Sequence, residues 1–560
     1  MNGNKFTLTL LDTTSIQEYV FASNQLAQNI GASELVERTT GEWLVNAFDN
    51  LGISHNIAWS LEKGVYYTDG TVPTLNAEVI YAGGGNAVIL FVDDNQAVQF
   101  ISRLSRRILN EARGLQMVSV SKPVHWKNDG TGDSLATALA DLRKQAFAHK
   151  LNRPVSAPLP GLAVTAACAY TGLPAVGYNT DPALVGAEIA ERMQRLKEKQ
   201  LISKEVADKL RAEPKGKERL HAILPQVRKS GYGFVYDFDE FGDKGESSYI
   251  AVIHTDGNSM GKRLDDIAAQ YGNPAQNRNY INTLRAFSLS VRERAQIALN
   301  DTVDHLLAGL SKNTAFRFRR RGDTVLLPFR PIVFGGDDVT FVCDGRLGLD
   351  LAAHYLQKFS GGKLADKKIA YARAGIAVVK SHFPFSRAYT LAEDLARSAK
   401  HAIEPCKKLS GKESATVMDW HFSTTGVIRS LEDIRNQDYR ARTGKSLLIR
   451  PISLEPQSAM WRNWANFTSL VANFKGGTWA GKHNKIKDLQ DALRGGPDDV
   501  ALFCKKYRVG PKEMPPVAGK PRMQESGWEN GECGYFDAIE ALDFFVDLNP
   551  QPVNRKEAQV

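Results

Sequence analysis

The chain has 560 residues, 43% of them hydrophobic, and a net charge of +9 from 71 Lys and Arg against 62 Asp and Glu. That length exceeds one hydrophobic core and predicts roughly two to four domains, while the modest positive excess is compatible with an RNA or nucleotide partner without establishing one. No apolar run of about eighteen residues predicts a membrane span, and the opening MNGNKFTLTLLDTT lacks the basic-then-apolar pattern of a signal peptide. Five cysteines (Cys168, Cys343, Cys406, Cys504, Cys533) stand singly, so spacing indicates neither a zinc ribbon nor a disulfide framework. A reducing cytoplasm is the simplest compartment.

Taken in order, KFTLTLLD at residues 5–12 reads as a buried strand. Apolar spacing then predicts helices interrupted at Gly31-Ala32-Ser33. AEVIYAGGGNAVILFV (77–92) is an apolar run, a glycine turn and an apolar exit, the pattern of a hairpin. A helix over 95–113, a strand over 115–120 and a helix from about 134 to 149 complete a first unit. A Pro-rich stretch, RPVSAPLPG, opens a charged helical segment. SYIAVIH (248–254) is the next strand and runs into Thr255-Asp256-Gly257-Asn258-Ser259-Met260-Gly261. A long helical stretch (279–310) leads to PIVFGGDDVTFV (331–342), a second hairpin with Asp337 and Asp338 at its tip. A helix (347–359), a strand (372–379) and a helix (388–402) follow. Beyond Phe422 the chain reads as mostly helical, with Trp461, Trp464 and Trp479 expected to pack rather than stack on bases. The predicted boundaries are 1–152, 153–243, 244–425 and 426–560. The basic runs KGKER (215–219) and RFRRR (317–321) read as solvated faces.

The two halves share one order: strand, helix, paired strands, helix, strand, helix. This is a diverged internal repeat, with about 70 residues from acid to hairpin in the first unit and about 80 in the second. The predicted fold is α+β, two antiparallel sheets of ferredoxin-like order with helices on one face. Asp12 stands where Asp256 stands, and Gly83-Gly84-Gly85-Asn86 where Gly335-Gly336-Asp337-Asp338 stands. An acid ending one strand and a pair on a neighbouring hairpin can hold divalent cations for two-metal nucleotidyl transfer. Gly335 and Gly336 let a phosphate approach the backbone, amides through Gly257, Asn258 and Gly261 can meet phosphate oxygens, and Lys400 can offer a positive charge.

TDGNSMG (255–261), PIVFGGDDVTFV, and RAGIAVVKSHFPFSRAYTLAEDLARSAK (373–400) together resemble the palm of the large subunit of type III CRISPR effector complexes, the CRISPR polymerase family related to GGDEF cyclases. SIQEYVFASNQLAQNIGASELV and VIYAGGGNAVILF resemble its first palm. The resemblance implies Mg²⁺ or Mn²⁺ at Asp256, Asp337 and Asp338. It also implies two ATP molecules held by facing palms, and a cyclic oligoadenylate or related adenylated product made when guide RNA pairs with target RNA. Implied partners are the other effector subunits. The first palm, with Gly84, Gly85 and Asn86 in place of a metal site, is expected to bind nucleotide without catalytic metals, with Ser33 lining its pocket. Many members begin with an HD nuclease; this chain starts at the first palm strand, and Asp304-His305 has the wrong order, so no HD activity is expected. Many also carry paired CxxC zinc motifs after the first palm. Only Cys168, in CAYTG, stands there, so no zinc is expected. The alternatives are a catalytically silent scaffold subunit, which the intact acids disfavour, and a free-standing nucleotide cyclase, which the long helical C-terminal region disfavours.

Overall fold

A computed structural model describes residues 4–127, 131–152, 164–241, 248–312, 318–423, 429–455, 460–510 and 512–548. The Pro-rich stretch after Arg153, Arg317 and the polar tail after Leu548 lie outside the described residues. The chain packs into two compact units, each assembled from separate segments. The first comprises Met1–Lys229, Ser259–Glu293 and Lys363–Lys368; the second comprises Ser230–Asn258, Arg294–Gly362 and Ile369–Val560.

In the first unit, strands β1 (Asn4–Thr14), β2 (Ala77–Gly83), β3 (Asn86–Phe91) and β4 (Gln116–Trp126) form a sheet of order β2-β3-β1-β4. Every pairing is antiparallel. Strand β1 has partners on both sides and is buried from Phe6 to Leu11, Thr7 and Thr9 included, as the buried-strand reading of KFTLTLLD expects. Helices α1 (Leu26–Thr40) and α2 (Glu42–Leu51) precede the hairpin, α3 (Asp94–Glu111) follows it, and α4 (Leu135–Leu151) closes the repeat. This is the ferredoxin-like βαββαβ order expected of the repeat.

The predicted break at Gly31-Ala32-Ser33 does not occur: α1 runs through it. The glycine serves packing instead. A Cβ on Gly31 would lie 1.7 Å from the carbonyl oxygen of Lys209, on helix α5 (Lys204–Ile223), so the missing side chain lets the two backbones meet. Ser33 is buried on the same helix. The KGKER run is solvated only in part, at Lys215 and Glu218. Its Arg219 is buried on α5, and its Nε donates to Glu34 Oε2 on α1 at 2.8 Å, a charge pair that joins the two helices. Earlier in the insert, Cys168 packs with Val185, Ile189, Ile202 and Val206 in a small apolar core.

The second unit repeats the plan. Strands β5 (Tyr249–Gly257), β6 (Phe329–Val333), β7 (Val339–Asp344) and β8 (Ala372–Lys380) take the order β6-β7-β5-β8. The sheet then extends by β9 (Val417–Ser423), parallel to β8, and the short β10 (Ile452–Ser453). In chain order, β5 is followed by α6 (Met260–Gln270), which belongs to the first unit, and α7 (Asn277–Lys312), which belongs to this unit from Arg294 on; β7 is followed by α8 (Gly348–Ser360), and β8 by α9 (Phe385–Ala399). The repeat extends to detail: a β-bulge falls between Val79 and Tyr81 in one hairpin and between Pro331 and Val333 in the other, at matching distance from the tip.

His305, from the Asp304-His305 pair, bonds Asp350 through Nε2 at 2.7 Å and stacks on His354 with centroids 4.0 Å apart. Trp479 is buried and donates its indole N–H to the Glu513 carbonyl at 2.8 Å, and Trp464 stacks on Phe467. Both tryptophans therefore pack, as expected. Among the described residues, no helix is long and apolar enough to cross a membrane.

Candidate functional site

The site of interest lies where β5 ends. In the ladder, Thr255 faces Val339 on β7 and Asp256 faces Arg373 on β8. Continuing the β5–β7 register by one residue sets Asp256 across from Asp338. The same register in the first unit sets Asp12 across from Asn86. The repeat proposed from sequence is therefore the repeat of the two ladders, residue for residue at this point.

Three carboxylates gather here, and their electrostatics are unfavourable. Burial comes first, then the charges of Asp256 and Asp338, and together they push Asp337 up to about 6. Burial also raises Asp256, against the pull of Arg373. Arg373 Nη2 donates to Asp256 Oδ2, and its Nη1 donates to Asn258 Oδ1 at 2.9 Å. Below the acids, His254 Nδ1 lies 3.3 Å from Asp338 Oδ1. Burial works to lower the His254 pKa, but the hydrogen bond and charge of Asp338 prevail and raise it. The ring of Tyr389 meets His254 edge-on at 5.6 Å, and Thr255 Oγ1 donates to the Val339 carbonyl at 3.1 Å. These contacts make a rigid floor.

Asp338 Oδ1 is buried and faces the His254 imidazole. A carboxylate with acceptor capacity left over, beside two further acids, is a donor set suited to a hard divalent cation. The cage is not preassembled: among the described residues, no three His, Cys, Asp or Glu side chains stand at ligating distance. Asp256 is held instead by Arg373.

The glycines at the tip leave room. Gly335 has φ 117°, and a Cβ on Gly335 or Gly336 would meet nothing within 4 Å. Gly257 stays in the ladder opposite Ala372, and Gly261 lies on the first turn of α6, which belongs to the first compact unit. Asn258 departs from expectation. Its backbone N–H donates to the Tyr371 carbonyl at 2.8 Å and its carboxamide bonds Ala415 and Arg373. The main-chain donor expected to meet phosphate is thus committed to the fold, and Asn258 acts as a strut. Lys400 lies just past α9, in a 3-10 turn rather than inside the predicted helix. Its charge reaches Asp256 and opposes the rise in that pKa.

The first unit carries the same frame with different chemistry. Gly84 and Gly85, with φ 59° and 82°, make a two-residue turn between Gly83 and Asn86. Gly85 is pinned, since its carbonyl accepts from the Thr13 N–H at 2.9 Å and from Thr13 Oγ1 at 2.8 Å. Asp12 Oδ2 lies 2.6 Å from Lys150 Nζ. Lys150 and Lys400 each stand fifteen residues past the first residue of their helices, Leu135 and Phe385. A cationic side chain therefore fills, against Asp12, the role that a metal would fill against Asp256.

Sequence reading missed His254 and Arg373. A signal was present for both. His254 is two residues before Asp256 on a strand, hence on the same face, and Arg373 opens the RAGIAVV strand next to it.

The comparisons with known proteins bear on this unit first. Residues 249–406 match the family model of the Cas10/Cmr2 second palm domain. The matched segment runs from β5 to a little past the end of α9 and contains Asp256, Asp337, Asp338 and Lys400. Among solved structures, the chain is similar to a Csm1-Csm4 cassette in complex with cA4, at 14% identity over 96% of this chain and 69% of that one, TM-score 0.48. It is similar to Csm1 in T. onnurineus at 13% identity over 96% and 70%, TM-score 0.49. A Csm1-Csm4 cassette in complex with one ATP gives 14% over 97% and 70%, TM-score 0.49. A comparison with curated protein sequences finds no match.

The raised Asp337 makes stability depend on pH. A carboxylate whose pKa is raised by folding favours the folded state while protonated. Its contribution is complete below the ordinary value near 4 and is lost as pH rises through about 6. In chelator, the wild-type chain is therefore expected to lose stability relative to Asp337→Asn between about pH 4 and about pH 6. Thermal melts of both proteins across that range check it, and parallel curves would refute the electrostatic picture of the tip.

Proposed function

We propose that the chain is the nucleotidyltransferase subunit of a type III CRISPR effector complex, joining ATP into a cyclic oligoadenylate or related adenylated messenger when target RNA is bound. The observation that carries this reading is the three-carboxylate cluster of Asp256, Asp337 and Asp338 inside a segment that matches the Cas10/Cmr2 second palm. These three side chains would hold Mg²⁺ or Mn²⁺. A divalent cation there supplies Lewis acidity toward the attacking hydroxyl and the α-phosphate.

The rest is done by the chain's own residues. Arg373 neutralises Asp256 in the metal-free protein and, once released from it, is free to meet a phosphate. His254 and Thr255 hold the strand ends in place. Gly335 and Gly336 keep the tip open for a nucleotide, and Lys400 offers its ammonium to the phosphates. The first palm, whose acid is already paired with Lys150, is assigned nucleotide binding without metal. The fold neighbours are Csm1-Csm4 cassettes, some with cA4 or ATP, and a partner and ligands of that kind are what we assign to this chain.

The test is mass spectrometry of products after incubation of the assembled complex with ATP, Mg²⁺ and cognate target RNA, with S-adenosylmethionine added in one arm. Adenylated products that depend on metal and target RNA are expected. Their absence from every arm would favour the scaffold role, and production by the isolated chain without RNA would favour a free-standing cyclase.

A further inference from the structure

Apart from the palm acids, helices α2 and α3 of the first unit border a cavity of about 420 Å³. Asn46 and Asn50 line it from α2; Arg103, Arg106, Arg107 and Asn110 line it from α3. Trp43 also lines it, is fully buried, and has an indole N–H with no acceptor. The guanidinium of Arg107 lies 4.9 Å from the Trp43 ring centroid.

Arg103, Arg106 and Asn110 are exposed on α3, so the cavity is an open concavity of the surface. Positions 103, 106, 107 and 110 follow helical spacing and share one face of α3. Glu111 is the single carboxylate lining the cavity, and it is taken by Arg107 at 3.1 Å. Among the described residues, Arg103 and Arg106 have no carboxylate partner. Two unpaired guanidiniums a turn apart repel each other, and in a concavity they focus positive potential inward. Planar guanidinium forks and carboxamides on the facing helix suit an oxyanion with several oxygens. The cavity is also large enough for one nucleotide.

We infer that this pocket is a binding site for a phosphate group carried by a nucleotide or by a single-stranded RNA, independent of metal and of the palm acids. The inference does not rest on the proposed catalysis. Phosphate oxygens would take Arg103 and Arg106, and an adjoining base or sugar would meet Asn46, Asn50 and the Arg107 guanidinium, which Trp43 backs from below.

The test uses the full chain in EDTA, with a short fluorescein-labelled oligouridylate as probe, because it offers phosphates but no adenine. Anisotropy is measured over a salt series. The Arg103→Glu/Arg106→Glu variant is expected to bind about tenfold or more weakly, with a slope of log K against log salt shallower by about one. Arg103→Lys/Arg106→Lys should retain most of the affinity, and Arg103→Gln/Arg106→Gln serves if the acidic variant does not fold. UMP and inorganic phosphate are the competitors. Displacement by UMP assigns the site to a free nucleotide, and displacement only by unlabelled oligouridylate assigns it to an RNA strand. Unchanged affinity and slope in the Glu or Gln variant, or no binding of any probe to the wild-type chain, would overturn the inference.

Discussion

Asp337→Ala combined with Asp338→Ala is expected to reduce metal-dependent ATP turnover by about a thousandfold or more, while leaving the fold intact. Both residues sit on the tip of a hairpin whose strands are anchored elsewhere, by the β5–β7 ladder and by the buried Phe329 and Phe341. Asp337 is held in a form the fold resists ionising, and Asp338 pairs with His254. Removing both relieves repulsion at Asp337 but leaves His254 without its acid, so the metal-free double variant is expected to stay folded and to melt close to wild type. The combination of lost turnover and retained stability is informative, since a structural role would lower both. Turnover is read by mass spectrometry of products, and melting by calorimetry in chelator. Wild-type turnover in the double variant would remove these residues from the chemistry.

The second large effect concerns stability rather than catalysis. Arg450→Ala is expected to cost about 3–5 kcal/mol. The Arg450 side chain is 1% exposed, and its Nη1 lies 2.9 Å from Glu540 Oε2 and 3.5 Å from Asp537 Oδ1. The guanidinium also packs against Tyr439 and Trp420, 4.8 and 5.4 Å from their centroids. Burial alone would lower the Arg450 pKa, but the two acids outweigh it and raise it. Alanine would leave Asp537 and Glu540 buried without a cation. Burial already holds both carboxyls above their usual range, and losing Arg450 pushes them further, so the deficit should grow with rising pH as the acids are forced to ionise. Denaturant melts at mildly acid and mildly alkaline pH measure this. Adding Asp537→Asn and Glu540→Gln should restore much of the loss, because the uncompensated charges are then gone. A deficit below about 1 kcal/mol at neutral pH would show that the acids are solvated or neutral in the fold.

The two cases differ in how far they could be read from sequence. The palm frame was legible because its strands are apolar runs ended by glycine and acid, and because it occurs twice. Position matched position through the bulges at Val79 and Pro331 and the turns at Gly84 and Gly336. The helix break at Gly31 was misread because a glycine that permits a turn also permits close packing, and only the partner helix decides which. Arg219 and Arg450 were illegible for a related reason. A buried arginine looks like a surface arginine until the acids that meet it, Glu34 in one case and Asp537 in the other, are brought from far along the chain. Arg373 and His254 lay between. Their strand positions pointed at Asp256, yet only the ladder shows that one neutralises it and the other sits beneath its neighbour.

The Lys150–Asp12 pair sets the two palms apart in how they answer to their surroundings. The first palm's counter-charge is part of the polypeptide, so it cannot be chelated, diluted or exchanged. On the proposed reading, the acids of the second unit would draw theirs from solution, in competition with protons and with Arg373. Nucleotide bound by the first unit would then persist when free divalent ions run low, while the proposed chemical step would stop.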